Sequence, residues 1–419
     1  MRQLYPEIYY KNGELYVEDV RLKEVAERVG TPLYVYSRGA LEYWFKEFDS
    51  AFGGVPHTTC FAVKSNSNVQ VLRVLKELGA GADTVSAGEI FRALSAGIDP
   101  KKIVFAGVGK REEELLFALE RGILMVNVES EGELRALGRV AERAGKRAPL
   151  SIRVNPDVDP KTHPYISTGL RSSKFGVTFE EALELYKVAR DSKWLNPVGI
   201  HFHIGSQITD VSVFGEAAKK VADFVRELRS LGLEIEYFDA GGGLGINYKP
   251  DEPVVPSESL AGEIVPVVKD LGCHLILEPG RRISGNSGVL VAQVLYVKER
   301  DRKVFYIVDA GMNDLPRPSL YNAYHHIVPL EEREGEEVTA DVVGPICETG
   351  DVLARERRLP PLKEGDLIAV LSAGAYGFTM ASNYNSRPRP PEVLVEGGEF
   401  RVIRDRERIG DLIVREELL

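Results

Sequence analysis

The chain has 419 residues, 44% of them hydrophobic, enough for a sizeable core in two domains or one large and one small. Its formal net charge of -10 and the lack of a long basic run exclude nucleic acid as a natural partner and favour small-molecule chemistry. Cys60, Cys273 and Cys347 are odd in number and widely spaced, so neither a disulfide framework nor a metal cluster is expected. The opening MRQLYPEIYY lacks a signal-peptide core, and no stretch approaches the roughly 20 apolar residues of a membrane span. A cytoplasmic protein is expected.

The first 35 residues read as short strands near Ile8–Tyr10 and Glu14–Val17, a helix over Leu22–Val29 and a strand at Pro32–Tyr36. An amphipathic stretch, Ala40–Phe48, comes next. Eight apolar runs then appear, at 60–64, 81–85, 103–107, 125–129, 150–154, 198–204, 236–240 and 275–279. Helical spacing lies between them over Val69–Leu78, Glu112–Glu120, Glu131–Ala144, Glu180–Arg190 and Ala217–Leu231. This alternation predicts a closed eight-stranded β/α barrel over residues 36–285, with an open doubly wound sheet as the alternative. From about residue 285 the texture becomes β-branched alternation with turns, at Val289–Lys298, Val304–Val308, Val338–Val343, Leu367–Ala373 and Glu399–Ile403. Residues 286–419, joined by 1–35, predict a mostly antiparallel β domain that completes the active site. Helical spacing returns at Ile409–Leu419. The run Glu331–Glu334 reads as a solvated loop.

In a barrel the chemistry gathers at the carboxyl ends of the strands, and the polar residues of this chain concentrate there. Cys60-Phe61-Ala62-Val63-Lys64-Ser65-Asn66 is an apolar strand ending on a lysine. Lys64 is either a solvated strand-end lysine or, desolvated, a Schiff-base former. Gly241-Gly242-Gly243-Leu244-Gly245 is either a tight loop or a cradle for an anion. Ser206 and Gly280-Arg281 add a hydroxyl, a backbone amide and a cation after the sixth and eighth strands. Glu278 is a strand-end ion-pair partner or the carboxylate facing a pyridine nitrogen. His203, read on the sixth strand, is a core histidine or lies flat on a ring; His201 and His203 alternate onto one face. Cys347 beside Glu348 is a small buried residue or a chemical thiol. Tyr376 stands between glycines, where core packing is poor.

Together these motifs resemble the barrel-fold pyridoxal-phosphate decarboxylases, which share their fold with alanine racemase. The resemblance runs from about Thr31 to Pro390. It implies pyridoxal 5'-phosphate bound through Lys64, with His203 on the ring, Glu278 at its nitrogen, and Ser206, Gly242, Gly243, Gly280, Arg281 and Tyr376 around it. It implies Cys347 as the proton donor after decarboxylation.

Within this family the chain is similar to the branch that converts meso-diaminopimelate to L-lysine. The similarity lies in His163-Pro164-Tyr165-Ile166-Ser167-Thr168-Gly169, Ser173-Lys174-Phe175-Gly176, the segment Asp309–Tyr321 and Cys347-Glu348. Arg281 and Arg317 suit the distal carboxylate of that substrate, and Glu348 with Tyr321 its ammonium. An ornithine-type substrate would leave the arginines unpaired. The resemblance further implies a homodimer with a shared active site, Lys174 of one subunit pairing with Asp351 of the other. A decarboxylase for ornithine, arginine or a carboxylated polyamine, and a non-catalytic pyridoxal-phosphate carrier, are the alternatives.

Overall fold

The computed structural model describes residues 1–159, 174–300 and 303–416. The segment from His163 to Ser173 lies outside them. Two compact units are present. One comprises Phe45–Ile246 and Val254–Ile283, the other Met1–Trp44, Asn247–Pro253 and Ser284–Leu419.

The first unit is a closed parallel barrel. Its strands are β1 (His57–Ala62), β2 (Gly81–Thr84), β3 (Ile103–Phe105), β4 (Met125–Val128), β5 (Ala148–Arg153), β6 (Leu195–His201), β7 (Tyr237–Asp239) and β8 (His274–Leu277). Parallel pairing of β8 with β1 closes the ring and excludes the open sheet. The helices start where the sequence offers caps. Asn68, Ser86, Ser130 and Thr178 each accept a backbone N–H from the first turn of the adjoining helix, at 2.9, 3.2, 3.2 and 3.2 Å. Gly122, Gly145 and Gly272 end three helices in the left-handed conformation, one of them the helix that Ser130 starts. Two helices carry weak signals in the sequence and are not expected from it. Ala87–Ser95 is short, and Ser257–Leu271 carries Pro266 in its interior.

Strand alternation fills the barrel in layers. Cys60, Val104, Met125 and Ile276 pack as a buried apolar cluster. Two residues along their strands from Met125 and Ile276 stand Asn127 and Glu278, both buried. The apolar plug thus gives way to polar groups toward the carboxyl ends.

The second unit holds a four-stranded antiparallel sheet, from Arg2 to Arg21, and a nine-stranded mixed sheet. In the latter Leu33–Ser37 pairs antiparallel with Gly288–Arg300 and parallel with Glu392–Glu396. Most of its other pairings are antiparallel; Lys303–Val308 with Val338–Val343 is parallel. Its core includes Ile8, Leu15, Leu22, Val289, Val291, Ala369 and Val393, so the two ends of the chain are held by one apolar cluster. Strands Val352–Leu359 and Glu392–Glu396 are not legible in the sequence, because arginines and prolines mask their alternation. Of Ile409–Leu419, the described residues form a 3-10 turn, Ile409–Ile413, rather than a longer helix. The run Glu331–Glu334 is ion-paired as well as solvated: Lys23 meets Glu331 at 3.1 Å and Arg2 meets Glu332 at 2.9 Å. Among the described residues no helix is long and apolar enough to cross a membrane.

Glu407 links the last strand region to the Pro-rich turn, accepting from the Arg389 backbone N–H at 2.8 Å and its Nε at 2.7 Å. Burial opposes its charge, but Arg389 outweighs this and holds the carboxyl down to about 2, against 4.5 unperturbed. A depressed folded pKa gives stability that is present above the unfolded value and is lost as pH falls. The parent protein is therefore expected to lose more stability than Glu407→Gln between pH 4.5 and about 2. Parallel acid limbs for the two proteins in denaturant titrations would contradict this.

Candidate active site

Lys64 sits in a single 3-10 turn, Val63–Ser65, directly after β1. The asparagines of the motif start the next helix: Asn66 Oδ1 accepts from the Asn68 N–H at 3.1 Å, and Asn68 then caps Val69–Glu77. The Lys64 ammonium bonds Asp83, a fully buried carboxylate at the end of β2. Burial, then Glu278, push the Asp83 carboxyl upward, and Lys64 pulls it back.

Glu278 stands just after β8 and is buried. Its Oε2 lies 3.4 Å from His201 Nε2, at the end of β6. His201, Asp239 and Glu278 bring three ligand-type atoms within 4.8 Å of one another. Two buried carboxyls this close cannot both ionise readily. Asp239 is pushed well above the carboxylate range, by burial first and then by Glu278. Burial also disfavours charge on Glu278, but His201 and Lys64 overcome it and hold Glu278 well below that range. These opposite pushes favour the proton on Asp239 and the negative charge on Glu278. Asp239 is further tied to the Asn127 amide at 3.2 Å, and Asn127 to the Ser151 hydroxyl at 2.8 Å.

The glycine run stitches three loops together. Glu278 N–H donates to the Gly241 carbonyl at 2.8 Å, and Gly242 N–H donates to His203 Nδ1 at 3.2 Å. A Cβ on Gly242 would lie 2.1 Å from the Glu278 carbonyl oxygen, and one on Gly243 2.3 Å from that of Gly205. Gly280 packs less tightly against the end of β1 and the turn after it: a Cβ there would meet Ala62 and Ser65 at 3.0 Å. Arg281, buried, donates to Ser206 Oγ at 3.2 Å. His203 lies on the loop after β6, not on the strand where the sequence pattern puts it, because that strand ends at His201. Its imidazole is pushed down to about 3 by burial and by Arg153, so it is neutral, and Nδ1 accepts. Lys64, His203, Ser206, Gly242, Gly243, Glu278, Gly280 and Arg281 thus gather on the loops that cap the carboxyl ends of the strands. Asp83, Asp239 and His201 join them. The sequence signals these three only as strand-end polar residues.

In the β unit the remaining candidates lie on three loops tied to one another. Arg317 and Tyr321 bound a short helix, Arg317–Tyr321. Ser319 in that helix donates to the Gly350 carbonyl at 2.6 Å. Asp351 accepts from the Met312 and Ile346 backbone N–H groups at 2.6 and 2.7 Å, fixing the loop that carries Cys347 and Glu348. Cys347 is exposed; its N–H donates to Asn385 at 2.9 Å, and the Tyr384 hydroxyl donates to Glu348. Tyr376 holds a left-handed φ of 56°, in a loop where a Cβ on Gly377 would lie 2.4 Å from the Ala373 carbonyl oxygen. Such strain persists only where the surroundings over-determine it, and it concentrates at functional sites. Lys174 is exposed.

A lysine, a buried carboxylate and a glycine cradle at the strand ends of a closed barrel is the arrangement of the pyridoxal-dependent decarboxylases. The model of that family's pyridoxal binding domain matches residues 38–285. Diaminopimelate decarboxylase of Aquifex aeolicus is 51% identical over 418 residues, covering 100% of this chain and 99% of that protein. The structure of diaminopimelate decarboxylase from Helicobacter pylori, complexed with L-lysine, is 46% identical over 94% of this chain and 98% of that one, with a TM-score of 0.90. Its counterpart from M. jannaschii, also with L-lysine, is 40% identical over 98% of each chain, with a TM-score of 0.94. The chain belongs to the pyridoxal-dependent decarboxylases, in their diaminopimelate decarboxylase branch.

The residues fit pyridoxal phosphate. Glu278 Oε1 is buried and has no hydrogen-bond partner among the described residues, as a carboxylate reserved for a pyridinium N–H requires. Gly242 and Gly243 keep backbone where side chains are barred, and Ser206 with Arg281 offers anion donors. Gly242→Ala would press a methyl into the Glu278 carbonyl. Cofactor affinity is expected to fall at least about tenfold, measured as cofactor retained per chain on dialysis. Full retention would contradict this account of the loop.

Proposed function

We propose that this chain decarboxylates meso-diaminopimelate to L-lysine and carbon dioxide with pyridoxal phosphate. The observation that carries the reading is Glu278: a buried, ionised carboxylate with one oxygen unpartnered, on the same strand ends as Lys64. The bound cofactor supplies an aldehyde for amines and a ring that takes up the electron pair left by the departing carboxylate.

The rest falls to the chain's own groups. Lys64 would give the amine that holds the cofactor, and Asp83 would orient that amine. Glu278 would keep a pyridine nitrogen protonated, and Asp239, if neutral, would let Glu278 hold its charge. His203 would support the ring, and Ser206, Gly242, Gly243, Gly280, Arg281 and Tyr376 would hold the phosphate. Cys347 donates the proton that replaces the lost carboxylate at the α-carbon. Arg281 and Arg317 take the distal carboxylate, Arg317 through its planar fork. Glu348 and Tyr321 take the distal ammonium. The work is placed in the cytoplasm, where the exposed Cys347 thiol stays reduced.

Carbon dioxide release tests the substrate. Meso-diaminopimelate is expected to be turned over, and ornithine and arginine to be at least about a hundredfold poorer in kcat/KM, because they bring no distal carboxylate to the buried Arg317 fork. Arg317→Ala should lower kcat/KM for diaminopimelate about a hundredfold with cofactor content intact. Equal turnover of ornithine would contradict the assignment.

We also propose a homodimer in which Lys64 of one subunit works with Cys347 and Glu348 of the other, Lys174 pairing with Asp351 across the interface. The exposure of the loop bearing Cys347 supports this. Mixing inactive Lys64→Ala chains with inactive Cys347→Ala chains should restore activity, because one hybrid site then has both groups. No recovery on subunit exchange would contradict it.

A further inference from the structure

Arg317 is buried, and its Nη1 lies 2.9 Å from Nε2 of His325, itself fully buried. The other ring nitrogen, Nδ1, lies 2.9 Å from the Leu371 carbonyl oxygen. A carbonyl only accepts, so Nδ1 carries the hydrogen. A guanidinium only donates, so Nε2 presents its lone pair. The two contacts together select one form of His325, the neutral imidazole protonated at Nδ1. The same pair is packed on Tyr248. The His325 ring meets it edge-on, with centroids 5.4 Å apart and planes at 81°, and the Arg317 guanidinium carbon lies 5.2 Å from its centroid. One Arg317 nitrogen is thus held by an acceptor with a fixed direction, while an aromatic face takes up positive charge.

We propose that His325 is a positioning residue for the distal carboxylate of the substrate. It sets the plane of the Arg317 fork before the substrate arrives, so that less conformational freedom is lost on binding. Carbonyl, imidazole and guanidinium form a relay of direction: Leu371 fixes the tautomer, the tautomer fixes the lone pair, and the lone pair fixes the arginine. A Lys at 317 could not be fixed this way, because an ammonium has no plane. The inference rests on the reading of Arg317 as a carboxylate ligand and adds the group that aims it.

Two amides test it by separating the two nitrogens. In His325→Asn the amide nitrogen can still donate to Leu371, but the acceptor at the Nε2 position is lost. In His325→Gln the longer side chain puts an amide oxygen near the Nε2 position. The probes are L-lysine, which keeps a carboxylate, and cadaverine, the same diamine without one, both as inhibitors of diaminopimelate turnover by the holoenzyme. H325N is expected to raise KM for diaminopimelate and the inhibition constant of L-lysine about tenfold, with kcat within about threefold and cadaverine unchanged. H325Q should return both constants to within about threefold of the parent.

L-lysine inhibition unaltered in H325N, equal weakening of cadaverine, or H325Q no better than H325N would overturn the proposal. If Arg317→Ala weakens L-lysine while H325N does not, His325 fails and Arg317 stands. If Arg317→Ala leaves L-lysine unaffected, the reading of Arg317 fails first. A measurement on the unmutated protein does not depend on any variant folding. Nitrogen-15 histidine spectra at neutral pH should show His325 protonated at Nδ1 alone; protonation at Nε2 would overturn the relay.

Discussion

Glu278 is a negative charge taken out of water, and leaving such a charge uncompensated would cost several kcal/mol. The barrel answers with the His201 ring at 3.4 Å, the Lys64 ammonium nearby and a neighbouring carboxyl, Asp239, that takes the proton instead. His201, Asp239 and Glu278 end three strands paired side by side, and the closing pair of β8 with β1 adds Lys64. One oxygen of Glu278 is still without a hydrogen-bond partner among the described residues, and a cation-like N–H would suit it.

The glycine run serves the same constraint from the outside. Backbone must pass within contact of the Glu278 and Gly205 carbonyls, which leaves no room for a Cβ. The run is a tight loop, and the closeness that demands glycine is also what would let backbone approach a phosphate, as proposed. In the β unit the proposed selectivity has a parallel logic: Arg317 is buried and held by His325 and Tyr248, a fork set in place for a carboxylate if the proposed substrate binds there.

The fold is legible because its signals repeat. Eight apolar runs end in polar or glycine residues, and inward-facing positions such as Met125 and Asn127 pass from apolar to polar along a strand. Lys64, Glu278 and the glycines are legible because each interrupts a local pattern. His325 is not, since nothing in Tyr324-His325-His326 distinguishes the ring that reaches Arg317 from the one that bonds Tyr324 at 3.1 Å. Asp239 is visible only as a strand-end acid; its role depends on a carboxylate 39 residues away, brought near by the parallel pairing of β7 with β8. Helix Ser257–Leu271 is hidden by Pro266, whose local penalty is outweighed by burial of Leu260, Ile264 and Val268.

Borohydride reduction of the holoprotein, with peptide mass mapping of the product, decides whether the Lys64 amine carries the proposed cofactor. A single pyridoxyl adduct, on Lys64, is expected. An adduct on any other lysine, or none in protein that retains its cofactor, would rule the assignment out.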